Sequence, residues 1–169
     1  MTYTFTEREM KFLRMLAHGR CAIKDLDNPN RPSRIIYGNT RYEADLMGIM
    51  GEYAVSKYLS IPFDTSLSVE GDGGVIDLML GNYNIQVKST KYRTGRLVFF
   101  RKEEINADLF VLCTVLHEHS TATVVGWIGK AMALEVTTQM DLGRGLRWVI
   151  EQRHLLPPSD LLKIKPDSI

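Results

Sequence analysis

Asp77 is the only ionisable side chain in the apolar run Val75–Leu80, and Gln86 and Lys88 follow it across a short turn in "VIDLMLGNYNIQVKST", residues 75–90. A carboxylate set among Val75, Ile76, Leu78 and Leu80 is costly unless it meets a cation, a donor or water. Period-two alternation puts Gln86 and Lys88 on one face of the following segment and Ile85 and Val87 on the other. Hairpin pairing can bring Asp77 near that polar face. A carboxylate, an amide carbonyl and an ammonium at one spot suit hydrolysis of a phosphodiester with a hard metal. The oxygens hold Mg²⁺, the metal lowers the pKa of bound water and screens the phosphate, and the lysine orients the nucleophile or stabilises the transition-state charge. The same residues also fit a hairpin whose polar face simply meets solvent.

A second carboxylate comes from "GIMGEYAVSKYL", residues 48–59, where Glu52 lies on the helical line Asp45, Gly48, Ile49, Glu52, Val55, Leu59. A glutamate on that small, apolar side can reach the hairpin as a further metal oxygen. The alternative is a surface glutamate paired with Ser56 or Lys57.

The elements that must position these residues follow from periodicity. Thr6-Glu7-Arg8-Glu9 has the form of a capping box, and Met10, Leu13, Leu16 and Ala17 follow at helical spacing. This predicts a short helix with a basic outer face, ending at Gly19. "DNPNRPS", from Asp27 to Ser33, reads as a loop or arm. A second helix is expected from about Tyr42 to Leu59, stopped by Pro62; Gly48 and Gly51 cost it about 1 kcal/mol each relative to Ala, which implies close packing against a neighbour. After the glycine-rich 70–74, strands are expected at Val75–Leu80 and Tyr83–Lys88 around Gly81-Asn82. Further strands are expected at Leu97–Phe100, Leu109–Val115, Thr121–Ile128 and Trp148–Glu151, with a short helix near Lys130–Leu134. The order predicts an α/β or α+β fold with a central sheet.

The chain has 169 residues, 44% of them apolar, which fits one domain with a substantial core. The expected organisation is a single domain over 1–169: an N-terminal helix and basic arm over 1–41, a core over 42–151 and a C-terminal extension over 152–169. A formal charge of +1 neither demands nor excludes a polyanionic partner. The distribution says more, since Lys88, Lys91, Arg93, Arg96, Arg101 and Lys102 occur with no acid among them. Tyr92 interleaves Lys91 and Arg93, and Lys91, Tyr92, Arg93 and Arg96 are the candidate nucleic-acid contacts; an ordinary solvated loop is the competing reading. Cys21 and Cys113 form neither a disulfide framework nor a zinc ribbon. With no leader pattern and no long apolar run, a soluble intracellular protein is expected.

The runs "GEYAVSKYL", "GDGGVIDL" and "IQVKST" resemble the PD-(D/E)xK, or restriction-endonuclease-like, nucleases over about Gly48–Val115. The resemblance implies an αβββαβ core with a central mixed sheet flanked by helices. It also implies a Mg²⁺-dependent endonuclease acting on DNA, with Mn²⁺ able to substitute, no small-molecule cofactor, and a homodimer as partner state. Position by position, Glu52 matches the helix glutamate, Asp77 the metal-binding aspartate, Gln86 the second acidic position and Lys88 the lysine, with Val87 lending its carbonyl to the metal. Gln86 departs from the usual Asp or Glu. In this it is similar to Mrr-type restriction enzymes and phage-borne nucleases, for which a cytoplasmic location, that of the host if phage-encoded, follows. The rival is a catalytically silent module that binds nucleic acid or a partner and keeps the fold; a structural or inhibitory protein of a mobile element is a third reading.

Other residues carry blander expectations. His117-Glu118-His119 reads as a strand-connecting loop rather than a zinc site, His18 as a complement to the end of the first helix, Asp72 as a turn residue, and Trp127 and Trp148 as core.

Overall fold

The computed structural model describes residues 1–27, 40–67, 76–143 and 145–164. The expected arm from 28 onward, the glycine-rich run 70–74 with Asp72, and Val75 lie outside the described residues.

The capping box at Thr6 forms: the Glu9 amide donates to Thr6 Oγ1 at 3.2 Å and the Thr6 amide to Glu9 Oε2 at 2.9 Å. Helix α1 spans Glu7–Asp27 and so continues past Gly19, where the sequence predicts its end. The cause is tertiary. Leu67 packs over the bare Gly19 backbone, and Arg20 and Lys24, beyond the glycine, reach ion-pair partners on the next helix. These contacts outweigh the cost of about 1 kcal/mol for a mid-helix glycine. The outer face is not simply basic, because Phe12, Met15 and Leu26 are exposed on it. Helix α2, Arg41–Leu59, starts with a second capping box between Thr40 and Glu43 and ends at Ser60 in the left-handed region with φ 55.

The main sheet has five strands in the order β1-β6-β5-β3-β2. They are β1 Thr2–Thr4, β2 Leu78–Leu80, β3 Tyr83–Thr90, β5 Leu109–Leu116 and β6 Thr121–Gly129. Only β3 and β5 run parallel; the other neighbours are antiparallel. Gly81 makes the β2–β3 turn with φ 58, a conformation that suits glycine. β5 is central and buried on both faces, as its unbroken apolar run implies.

The expected strand after the motif, β4 (Leu97–Phe99), does not extend this sheet. It joins β8 (Leu146–Ile150) and β7 (Thr138–Asp141) in a second, three-stranded sheet of order β4-β8-β7. The chain is therefore mixed α+β. Helices α1 and α2 cover one face of the main sheet, over a core that includes Leu13, Met50, Val55, Ile85 and Val111. The second sheet and α3 (Lys130–Val136) cover the other, over Leu97, Phe99, Phe110, Leu112, Ile128 and Ile150. The C-terminal stretch is stitched in: Leu156 exchanges two backbone bonds with Trp127, and Leu161 of α4 (Pro158–Leu161) is buried in the helix-side core. Among the described residues no helix is long and apolar enough to cross a membrane.

Gly51 fits the close packing read from its sequence position. A Cβ there would collide with Ser89 Oγ on β3 and touch Cys113 Cβ at 3.4 Å. Gly48 does not, since its nearest neighbour would be Glu52 Oε1 at 3.8 Å; it leaves open space beside that carboxylate.

Candidate metal and nucleic-acid site

Asp77 stands one residue before β2. Its amide donates to Ile85 O at 2.9 Å, which continues the hairpin ladder, and its Oδ2 accepts the Val87 amide at 2.7 Å. The carboxylate thus caps an edge donor where the partner strand runs out. A ladder hydrogen bond lies in the plane of the sheet, so the carboxylate sits at the sheet edge, between its two faces. The N–H and C=O of one strand residue project to the same edge, so the Val87 carbonyl faces this side too.

Glu52 approaches from the helix face. Its side chain is 16% exposed. Burial, then the charge of Asp77, pushes its carboxyl up to about 7, against the opposing pull of Arg20 and Lys24. Arg20 Nη1 lies 3.4 Å from Glu52 Oε2, and the same guanidinium donates to the carbonyls of Asp64 at 2.9 Å and Ser66 at 3.3 Å. One α1 turn later, Lys24 pairs with Asp45 of α2 at 2.9 Å.

Lys88 approaches from the opposite face. Ile85 and Val87 belong to the helix-side core, so alternation sends Gln86 and Lys88 toward the second sheet. Gln86 is buried, and Lys88 Nζ lies 5.3 Å from the Phe99 ring centroid. Burial lowers the Lys88 pKa, while the charges of Asp77 and Glu104 support its protonated form. Asp77 is therefore the group that both Glu52 and Lys88 feel.

The donor chemistry fits a hard divalent cation: two carboxylates in mutual repulsion, with the Val87 carbonyl on the same edge and the Gln86 amide one residue away. Among the described residues no group of three or more His, Cys, Asp or Glu side chains is gathered, so such an ion would depend on the neutral oxygens. Arg20 is the member of the site that sequence reasoning missed. It lies just beyond the predicted helix end, and only the continuation of α1 brings it to Glu52.

The basic run divides. Lys91, Tyr92 and Arg93 lie on a turn directly after β3, with Lys91 Nζ 5.7 Å from the Tyr92 centroid and Tyr92 exposed. Gln152 Nε2 fixes this turn by donating to Arg93 O at 2.8 Å and Gly95 O at 2.7 Å. Arg96 leaves the group and sets Nη1 2.6 Å from Met140 Sδ on β7.

His117–His119 form the turn between β5 and β6, as a connecting segment should. His18 is not at a helix end; it lies inside the longer α1 and stacks on Tyr42 with centroids 4.1 Å apart. Trp127 and Trp148 are partly buried against the helix-side and inter-sheet cores. No protein-family model, no curated protein and no solved structure matches this chain.

Proposed function

We propose that this protein is a metal-dependent endonuclease that hydrolyses DNA phosphodiester bonds on a restriction-endonuclease-like core, with the cleft at the edge where Asp77 meets Glu52 and Lys88. The observation that carries the reading is the place of Asp77: the Val87 amide holds its carboxylate at the sheet edge, between the helix face that carries Glu52 and the sheet face that carries Lys88. Mg²⁺ or Mn²⁺ would be held by Asp77, Glu52 and the Val87 carbonyl, with Gln86 as a neutral oxygen donor. Bound there, it would acidify water and screen the scissile phosphate.

The remaining work belongs to the chain. The Val87 amide orients Asp77. Lys88, whose protonated form the charge of Asp77 supports against the effect of burial, is placed to stabilise negative charge on the phosphoryl oxygens. Lys91, Tyr92 and Arg93 are placed to follow the phosphate backbone. Cutting two strands calls for two such sites, so the active form is proposed to be a homodimer.

A binding module without activity is favoured by one specific feature, the Arg20 guanidinium on Glu52, which supplies a protein cation where the enzyme needs a metal. Incubation with supercoiled, linear and branched DNA in Mg²⁺ or Mn²⁺ decides between them. Cleavage that disappears in Asp77→Asn supports the enzyme; no cleavage of any form, with DNA binding intact, supports the module.

A further inference from the structure

The second sheet presents a face that the proposed chemistry does not use. Leu97 and Phe99 of β4 point into the inter-sheet core, so Phe100 and its alternating partners Arg96 and Val98 point outward. Across the register, Arg147 and Val149 of β8 and Thr138 and Met140 of β7 share that side. A carboxylate borders the patch: Glu104 Oε2 accepts the Phe100 amide at 3.1 Å, and Glu104 Oε1 lies 3.7 Å from Arg101 Nε. The Arg147 guanidinium carbon lies 4.6 Å from the Phe100 centroid, and Arg147 Nε is buried with no hydrogen-bond partner. Phe100 is nevertheless 62% exposed, so one cation covers only part of its ring. Phe99, the residue before Phe100, points the other way, into the inter-sheet core, and carries Lys88 Nζ on its ring, so the candidate site borders β4 from its inner side.

Arginines interleaved with an exposed aromatic ring match a polyanion that also offers flat π surfaces. Single-stranded nucleic acid has both, whereas a duplex hides its base faces in the stack. We infer that the outer face of the β4-β8-β7 sheet docks a single-stranded or unpaired segment of DNA, with a base stacked on Phe100 and phosphates held by Arg96 and Arg147. The choice of DNA rests on the nuclease reading; the choice of an unpaired strand rests on the exposed ring. A junction, flap or other DNA with an unpaired segment is then the proposed substrate of the nuclease site on the inner side of β4.

The test is fluorescence anisotropy of a labelled oligodeoxynucleotide, as a single strand and as the matching duplex, with the full chain in Ca²⁺. Single-strand affinity should exceed duplex affinity, and Phe100→Ala should lower it about tenfold while leaving duplex binding unchanged. Phe100→Trp should retain it, and Arg147→Gln should reduce the salt slope by about one. Single-strand binding by a folded Phe100→Ala protein at the parent's affinity, or an equal loss on the duplex, overturns the inference. The nuclease reading is judged separately by metal-dependent cleavage, so stacking without cleavage and cleavage without stacking are distinct results.

Discussion

Asp77 Oδ2 accepts the Val87 amide at 2.7 Å, and this bond fixes the carboxylate at the sheet edge, where a helix residue and a strand residue on opposite faces can both interact with it. An aspartate placed on either face alone would meet Glu52 or Lys88, but not both.

The Glu52 carboxyl is pushed from its ordinary 4.5 up to about 7, by burial first and by the charge of Asp77 second. A raised carboxyl pKa means the folded state holds a proton that the unfolded chain has released. Its stability contribution is therefore complete below the unfolded value and is lost as pH rises through the folded one. Glu52→Gln should flatten the loss of stability between about pH 5 and pH 8, measured by urea denaturation without divalent ions. Asp77→Asn keeps an acceptor for the Val87 amide but removes the charge. It should lower the Glu52 pKa in a carboxyl-carbon NMR titration while abolishing cleavage; an unmoved pKa would show that the two carboxylates are not coupled.

Gln86→Glu adds a charged oxygen at the neutral position and should tighten Mg²⁺ binding in calorimetric titration, whereas Gln86→Leu should weaken it. Identical affinity in all three proteins would remove Gln86 from the donor set.

Lys88→Met should remove most of the cleavage and leave DNA affinity in Ca²⁺ nearly intact, because a group that acts on the transition state adds little to ground-state binding. The double change Lys91→Ala with Arg93→Ala should do the opposite, weakening binding and reducing the salt slope by about two. If Lys88→Met weakens binding as much as the double change and the parent never cuts, Lys88 is a phosphate contact.

Gly51→Ala should destabilise the fold by about 1–3 kcal/mol, since the added methyl meets Ser89 Oγ across the α2–β3 contact. Gly48→Ala meets nothing closer than Glu52 Oε1 at 3.8 Å and should stabilise by up to about 1 kcal/mol through helix propensity. Equal effects in denaturation midpoints would contradict the difference in packing.

In the first turn of α1, burial opposes ionisation of Glu9. Even so, the Tyr3 hydroxyl, the Thr6 amide and hydroxyl, and the Tyr53 hydroxyl together bring its carboxyl down from 4.5 to about 2. A depressed carboxyl contributes stability above its unfolded value and loses it as pH falls through the folded one. Acid unfolding should thus steepen from about pH 4.5 downward in the parent and be shallower in Glu9→Ala, which should also cost about 2 kcal/mol at neutral pH.

The sequence by itself determined the local pieces. The α2 helix, the hairpin around Gly81 and the alternation that sets Gln86 and Lys88 opposite Ile85 and Val87 are functions of short-range spacing, which side-chain pattern records directly. The tertiary structure decided the rest. β1 and β7 were not anticipated, and β4 left the main sheet for β8, because strand pairing between distant segments is made by backbone bonds that leave no periodic mark in the residues. α1 ran through Gly19 because Leu67, Glu52 and Asp45, all remote in sequence, hold its second half. The same remoteness hid Arg20 and the sidedness of the site. Which face of the sheet receives α2, and which the second sheet, is set by how apolar surfaces from distant segments bury one another, and that burial alone places Glu52 and Lys88 on opposite sides of Asp77.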